Sequence, residues 1–310
     1  MRLFIMLLKK IVLLFVFFLV SISFYGKELF VTTSDGVQLY VKVKGSGPYC
    51  LYIHGGPGSG SYWLEKFSGD FLEQHFTMVY LDQRGVGRSS SPIRSDYSMN
   101  RMIADFEKVR EVLDIEKWLV MGHSFGGILQ MGYVENHSEA IEGLVMINCT
   151  LDVNHSIENG WLIKSAELLE EEGEFLQDDS LSKDEKLMMV ASKLNEKNIR
   201  WKIFYTYQNS EQLMNKSFEE ISDFNNDFSD AYLNYKEYSV DYRPKTSKVT
   251  KPVLFFYGKY DWSVGPEHYK GIHFPNMLLW GSEVGHVPFL ENKEDMQTAI
   301  LTFIKKWKFN

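Results

Sequence analysis

Ser124 is the residue best placed to act as a nucleophile. It lies in Gly-His-Ser-Phe-Gly at 122–126, which has the Gly-x-Ser-x-Gly spacing of a nucleophile elbow. Four apolar residues precede this motif and an apolar helical pattern follows it, so we expect a sharp strand-to-helix turn. A Cβ at Gly122 or Gly126 would collide with the opposite limb of the turn. The hydroxyl would stand at a helix N-terminus, whose N–H groups can stabilise an oxyanion.

A serine hydroxyl needs a base to take its proton and an acid to orient that base. Asp261 follows the apolar stretch 252–257, and His286 follows the next such stretch. Both are predicted at strand carboxyl ends, on the same side of the sheet as Ser124. Their order along the chain is the one expected after a Gly-x-Ser-x-Gly turn. The sequence therefore predicts a catalytic triad of Ser124, Asp261 and His286.

Other residues compete for the acid and base roles. Asp152, after the strand that follows the elbow helix, is the rival acid, and Asp261 itself could be a turn residue or a helix cap. His123 and His273 are the rival bases. We expect His123 to point into the core and His273 to lie at the wrong edge of the sheet.

The second oxyanion donor is expected in the glycine-rich loop 54–60, after the first long buried strand. The N–H groups of Gly55 or Gly56, together with that of Phe125, are the predicted donors. A phosphate-binding loop is the alternative interpretation. Ser61 stands where that motif requires lysine, which disfavours it.

The segment 82–89, Asp-Gln-Arg-Gly-Val-Gly-Arg-Ser, follows the next strand. We interpret it as a hydrogen-bonded loop that braces the oxyanion loop, in preference to a catalytic element. The sequence contains no His-Glu-x-x-His motif and no clustered set of metal ligands, so it predicts no metal site.

The elements that would position these residues alternate along the chain. Strands alternating with helices imply a mostly parallel sheet with helices on both faces. The predicted strands are 27–33, 37–43, 49–54, 76–81, 118–121, 143–148, 252–257 and 276–280, and the predicted helices are 62–74, 100–113 and 293–307.

The alternation stops between 152 and 248, where the sequence becomes acidic, aromatic and helical in pattern. This block begins just after a strand's carboxyl end, so we predict a helical cap inserted over the active site, with 26–151 and 249–310 forming the core. Its aromatic residues suggest an apolar pocket, although core packing explains them equally well. They are Trp161, Trp201, Phe204, Tyr205 and Tyr207.

Residues 1–25 have the pattern of a secretory signal peptide: basic residues, an apolar run over 11–20, and small residues near Ser23 and Gly26. The apolar run is shorter than the roughly 20 residues that span a bilayer. We therefore predict an exported protein, periplasmic or secreted, with no stable membrane partner after cleavage. A membrane anchor through an uncleaved segment is the alternative. Cys50 and Cys149 are expected at opposite edges of the sheet, as buried free thiols.

Composition excludes other classes of protein. The chain has 310 residues, 45% of them hydrophobic, which suits one large domain or a core with an insertion. The net charge is -8 and the basic residues are scattered, so nucleic acid is not an expected partner. The oligomeric state is not predicted.

Two motifs resemble signatures of the prolyl aminopeptidase (proline iminopeptidase) family of serine peptidases, within the α/β-hydrolase superfamily. They are His-Gly-Gly-Pro-Gly at 54–58 and Asp-Gln-Arg-Gly-x-Gly-x-Ser at 82–89. The resemblance covers 27–150 and 250–308. It implies an α/β-hydrolase fold, the triad named above, an acyl-enzyme intermediate and no cofactor. It also implies release of an N-terminal residue, often proline, from small peptides.

In that family, glutamates of the cap hold the free amino group of the substrate. Glu211, Glu219 and Glu220 are the candidates here, and a solvated helix face is the alternative for each. The chain departs from the family where many members carry Gly-Gly-Ser-Trp-Gly at the elbow and Trp-Glu in the cap. It has neither.

These observations order three functions. A serine aminopeptidase comes first, and a carboxylesterase, lactonase or other hydrolase of small acyl substrates comes second. A non-catalytic binding protein comes third, since such a protein would be expected to lose a triad residue. The related enzymes that use an aspartate nucleophile, epoxide hydrolases and haloalkane dehalogenases, are disfavoured by Ser124.

Overall fold

The computed structural model of the chain describes residues 26–309. The predicted signal peptide, 1–25, lies outside this range. Within it, no helix has both the length and the apolar character needed to cross a membrane.

One eight-stranded sheet organises these residues, in the order β1-β2-β4-β3-β5-β6-β7-β8. β2 is antiparallel to β1 and β4, and the other neighbours are parallel. The strands are β1 (Lys27–Thr32), β2 (Gln38–Gly45), β3 (Tyr49–Ile53), β4 (Thr77–Leu81), β5 (Trp118–His123), β6 (Ile141–Ile147), β7 (Val253–Gly258) and β8 (Met277–Ser282). The mostly parallel sheet predicted from the sequence is confirmed.

Helices cover both faces of the sheet, and alternate residues of each central strand point to opposite faces. α1 (Tyr62–His75) and α11 (Lys293–Trp307) pack on one face. α2 (Met99–Val112) and α3 (Gly126–Asn136) pack on the other. Burial on both faces explains why the central strands read as apolar runs. A short helix, α10 (Pro288–Glu291), precedes α11.

The segment between β6 and β7 is helical, as the sequence pattern predicts. It contains α4 (Val153–Ser156), α5 (Leu162–Leu169), α6 (Lys183–Glu196), α7 (Trp201–Phe204), α8 (Gln208–Phe218) and α9 (Asp227–Ala231). A π-helical turn covers Ile157–Trp161, and 3₁₀ turns cover Glu170–Gln177, Tyr232–Asn234, Lys236–Ser239 and Arg243–Lys248.

This segment has two unlike parts. The first part, 153–204, has a small apolar cluster of its own, built from Leu169, Val190, Leu194 and Ile203. The second part, 224–249, instead contributes buried residues to the main core: Phe228, Tyr238 and Tyr242. Backbone hydrogen bonds of 2.9 Å in both directions tie Asn225 to Gly87, and the Tyr242 N–H donates to Leu151 at 2.8 Å. The second part thus shares both core packing and backbone hydrogen bonds with the sheet region, whereas the first part has an apolar cluster of its own.

Cys50 and Cys149 are both buried free thiols, as expected. Burial raises the pKa of each thiol well above its ordinary value. Neither is suited to act as a nucleophile, since the thiolate is the reactive form.

Candidate active site

Ser124 occupies a strained turn between β5 and α3. Its φ is +55°, a left-handed conformation that is rare for a residue with a side chain. A Cβ on Gly122 would lie 2.2 Å from Oε1 of Gln130, on the helical limb of the turn. A Cβ on Gly126 would lie 2.4 Å from the carbonyl oxygen of Ile53. The sequence predicted that a Cβ on Gly126 would collide with the opposite limb of the turn. The structure corrects this, because the collision is with the neighbouring strand β3.

The structure brings together the three residues of the predicted triad. The Ser124 hydroxyl donates to Nε2 of His286 over 2.9 Å, and Nδ1–H of His286 donates to Oδ2 of Asp261 over 2.8 Å. Asp261 is fully buried, and its Oδ1 accepts the N–H groups of Ser263 at 3.0 Å and Val264 at 3.3 Å. The carboxylate is thus fixed in place and can orient the imidazole.

The rival residues have other partners. Asp152 forms an ion pair with Arg243 at 2.7 Å and caps α4 by accepting the N–H of His155. His273 is exposed, after β7 and before β8.

His123 is buried, as predicted, but it also reaches the active site. Its Nε2–H donates to the carbonyl oxygen of His286 over 2.8 Å, and the two rings lie 4.6 Å apart. Burial lowers the pKa of His123 to about 3, so its imidazole is neutral. It is therefore a neutral support for His286.

The backbone N–H groups of the three predicted oxyanion donors, Gly55, Gly56 and Phe125, all lack a hydrogen-bond acceptor within residues 26–309. Two of them, Gly56 and Phe125, are distinguished by their position. Both residues line a cavity that contains Ser124. Gly55 has a steric role, because a Cβ at this position would lie 2.6 Å from Cβ of Ser124. Of the predicted oxyanion donors, Gly56 and Phe125 are the pair that the geometry favours, and Gly55 allows the close approach.

The segment 82–89 braces the loop that carries Gly56. The Gln83 backbone N–H donates to Nε2 of His54 at 3.1 Å, and the Gln83 side chain donates to the His54 carbonyl at 3.0 Å. Burial lowers the pKa of His54 to about 4, so Nε2 is free to accept. This is the bracing role expected from the sequence.

Asp82 fixes the far end of the same loop. It accepts the backbone N–H of Ser61 at 2.8 Å and its hydroxyl at 2.7 Å, and it forms a 2.7 Å ion pair with Arg88. Burial alone would raise the pKa of Asp82, but the hydrogen bond and charge of Arg88 outweigh it and hold the pKa below its usual range. The carboxylate therefore stays ionised and structural.

Two cavities meet at Ser124, with volumes of about 490 Å³ and 220 Å³. They share Gly56, Ser124, Phe204 and Ser263. The larger is also lined by Pro57, Phe125, Thr150, Val153, Ser156, Ile157, Trp161, Leu187, Ala191, Arg200, Ser229, Tyr232 and Val264. The smaller is also lined by Tyr52, Ser59, Gly60, Trp63, His123, Tyr205, Met214, Phe218, His286, Val287 and Phe289. In the part of the chain that the structure describes, no carboxylate lines either cavity.

The structure does not bring the three candidate glutamates to these cavities. Glu220 is bound by Lys66 and the Tyr62 hydroxyl at the surface, Glu219 is exposed, and Glu211 is half-buried outside both cavities. The reason is the register of α8 and the turn after it. The face of α8 turned inward carries Ser210, Met214 and Ser217.

Of the aromatic residues singled out in the sequence, Trp161 and Phe204 line the larger cavity, and Phe204 and Tyr205 line the smaller one. Trp201 and Tyr207 line neither. Sequence reasoning missed Arg200, which lines the larger cavity. A basic residue among aromatic ones was the signal that could have indicated it.

A family model described as alpha/beta hydrolase fold matches residues 50–293. The chain is 38% identical over 120 residues to a proline iminopeptidase of Neisseria gonorrhoeae, covering 38% of each chain. It is 35% identical over 107 residues to a putative carbamate hydrolase, RutD, of Escherichia coli O157:H7, covering 34% of this chain and 40% of that one. The chain thus matches well under half the length of these relatives.

Among solved structures, the chain resembles a proline iminopeptidase-related protein from Thermus thermophilus. The TM-score is 0.73 at 20% identity, over 91% of this chain and 98% of that one. At this identity the likeness concerns the fold.

Proposed function

Because the chain belongs to the α/β-hydrolase fold family, we propose that it is a serine hydrolase that cleaves small acyl substrates through an acyl-enzyme on Ser124. One observation carries this proposal: the unbroken line of hydrogen bonds from Ser124 through His286 to buried Asp261. A binding protein has no need of a strained serine aligned with a base and an acid.

The first half of the reaction forms the acyl-enzyme. Nε2 of His286 takes the Ser124 proton as Oγ attacks the substrate carbonyl carbon, and Asp261 stabilises the imidazolium. The oxyanion accepts hydrogen bonds from the N–H groups of Gly56 and Phe125, each contributing about 3 kcal/mol to transition-state stabilisation. The imidazolium then protonates the leaving alcohol or amine, and the bond from that group to the carbonyl carbon breaks.

The second half releases the acid. A water molecule gives a proton to His286 and attacks the acyl carbon, and the same two N–H groups stabilise the second oxyanion. The bond to Oγ then breaks, and the proton returns from the imidazolium to Ser124. Each residue ends in its starting protonation state, so the cycle can repeat.

The lining of the cavities supports an ester or amide substrate without a free amino group. An aminopeptidase needs an anionic group near its nucleophile to hold the substrate's ammonium, because a desolvated charge without a partner is costly. Among residues 26–309, no carboxylate lines the two cavities at Ser124, and the one guanidinium that lines them, that of Arg200, would repel an ammonium. A carboxylesterase or related acyl hydrolase is therefore the function that this geometry supports best.

An aminopeptidase is the second candidate, and sequence similarity favours it. The 38% identity to a proline iminopeptidase extends over 120 residues. The match covers 38% of that protein's length.

The test compares two substrate classes on the purified full chain: p-nitrophenyl esters of short acids, and proline, alanine and leucine naphthylamides with free or acetylated amino groups. We expect ester hydrolysis, and covalent labelling of Ser124 by a fluorophosphonate probe, located by mass spectrometry of the labelled peptide. Ser124→Ala should abolish both.

Two results would contradict the proposal. Ester hydrolysis that persists in Ser124→Ala would remove the serine from the mechanism. Naphthylamide cleavage that is lost on acetylation, with little ester cleavage, would establish the aminopeptidase instead.

A further inference from the structure

Among the described residues that line the larger cavity at Ser124, one side chain carries a full charge, that of Arg200. Arg200 lies between α6 and α7 and is exposed to solvent. The residue therefore borders both the cavity and the solvent. An anionic group on a ligand could meet it there without leaving the solvent entirely.

Within residues 26–309, the guanidinium forms no ion pair and no hydrogen bond; its contacts are with aromatic rings. Five of the seven arginines in this range do form ion pairs. They are Arg84, Arg88, Arg101, Arg110 and Arg243. Its five N–H donors are thus available to a ligand, in a fork that matches the two oxygens of a carboxylate.

Two aromatic rings hold the guanidinium in position. Its Cζ lies 5.7 Å from the centre of the Trp161 ring and 5.9 Å from that of Phe204, within the range of cation–π attraction. The Phe204 ring is in turn 6.1 Å from the His286 ring. The Phe204 ring thus lies close to both the guanidinium and the His286 imidazole.

The positions of the catalytic groups indicate which part of a substrate enters this cavity. His286 lines the smaller cavity, and the leaving group must lie beside His286 to receive its proton. Phe125, a predicted oxyanion donor, lines the larger cavity. Since the leaving group lies beside His286 in the smaller cavity, the larger cavity remains for the acyl group, and we place that group there, with Arg200 in the lining.

The lining of the larger cavity is mixed, and it includes apolar side chains suited to a methylene chain beside the hydroxyl groups of Thr150, Ser156, Ser229, Tyr232 and Ser263. The apolar side chains include Val153, Ile157, Leu187 and Ala191. An acyl group with an apolar middle and an anionic end matches these apolar side chains together with Arg200.

We propose that Arg200 binds a carboxylate at the far end of the acyl group, so that the preferred substrates are half-esters or half-amides of short dicarboxylic acids. This inference rests on the proposed function. It adds a specificity-determining residue and a substrate class that the catalytic residues alone do not define.

The test uses pairs of esters that differ in one charge. Mono-p-nitrophenyl glutarate and adipate are compared with the same compounds in which the distal carboxylate is a methyl ester. We expect kcat/KM of the full chain to be about tenfold or more higher for the anionic ester, mostly through KM, as for a charge-assisted hydrogen bond. Arg200→Gln should remove this preference by lowering kcat/KM of the anionic ester to about that of the neutral one, whereas Arg200→Lys should keep part of it.

Lys202→Gln is the matched control, because Lys202 is a nearby exposed cation that lines neither cavity. It should leave the preference intact. Equal rates for the charged and neutral esters, with hydrolysis still dependent on Ser124, would overturn the role of Arg200 and leave the proposed function standing. A loss of both activities in Arg200→Gln would overturn it too, by showing a structural role.

A binding measurement separates the two proposals when no ester is cleaved. Calorimetric titration of Ser124→Ala with adipate and with hexanoate should show tighter binding of adipate, abolished by adding Arg200→Gln. Equal affinities would overturn the inference independently of turnover.

Discussion

The backbone N–H of His286 donates a 2.6 Å hydrogen bond to the carbonyl oxygen of Phe204. Phe204 also lines both cavities at Ser124, so one residue of the segment between β6 and β7 contacts the proposed base and the substrate space together. A Cβ on Gly285 would lie 2.7 Å from the same carbonyl, which explains glycine at this position. The position of the base is therefore coupled to the position of the segment above it.

Glu291 fixes that segment to the core, and its removal should loosen the site. Its carboxylate accepts the N–H of Thr206 at 2.9 Å and that of Tyr207 at 3.1 Å. Glu291→Ala leaves these donors unsatisfied, so we expect a loss of about 1–3 kcal/mol in the free energy of unfolding. We also expect a lower kcat/KM and faster hydrogen exchange at 204–207.

Glu283→Ala is the control. It breaks an exposed ion pair with Lys259 and should change neither the kcat/KM nor the exchange at 204–207. Slow exchange at 204–207 in the Glu291 variant would show that Glu291 does not hold this segment in place.

Replacing the acid should slow catalysis without disturbing the fold. In Asp261→Asn, the side chain can still accept from Ser263, but its amide would donate to Nδ1 of His286 and force the wrong tautomer. We expect kcat to fall about 10⁴-fold with the melting temperature little changed. Asp152→Asn tests the rival acid and should keep most of the activity. Comparable losses in the two variants would show that Asp261 has no special role.

The strained turn predicts a difference between two inactive variants. Ser124 has a φ of +55°, a conformation that glycine adopts freely and alanine does not. Ser124→Gly should therefore be more stable to urea than Ser124→Ala, by about 1 kcal/mol. Both variants should lack activity. Equal unfolding midpoints would indicate that the backbone relaxes around residue 124.

The buried histidines predict a loss of stability in mild acid. Burial holds the pKa of His123 at about 3 in the folded protein, against 6.5 in the unfolded chain. Below pH 6.5 the unfolded chain binds the extra proton, so the free energy of unfolding falls as the pH falls toward 3. His123→Gln keeps a donor for the His286 carbonyl and should reduce this slope by about 1.4 kcal/mol per pH unit. Urea titrations at several pH values test this, and parallel curves for the two proteins would count against it.

The sequence predicted the mostly parallel sheet, and it singled out three residues that the structure brings together, because both depend on local signals. The strand before Ser124, the helix after it, and the polar residues at the ends of β7 and β8 can be read from short patterns. The bounds of α11 agree with the predicted helix 293–307, since its apolar spacing is regular throughout.

The lining of the cavities could not be predicted, because it depends on contacts between distant residues. Glu220 is held by Lys66, which is 154 residues away along the chain. Phe204 reaches His286 from a part of the sequence without a recognisable motif. In such a segment, the composition indicates helices, but it does not indicate which side chains face Ser124.

The segment between β6 and β7 has two parts, 153–204 and 224–249, that differ in how easily they could be exchanged between related proteins. Residues 153–204 pack largely on their own cluster, so a related hydrolase could donate this stretch and bring its own selectivity with it. Residues 224–249 share apolar contacts with the sheet face, and transplanting them requires compensating changes there. Chimeric enzymes built from this scaffold should therefore be joined between 204 and 224, where the exchangeable module ends and the inherited framework resumes.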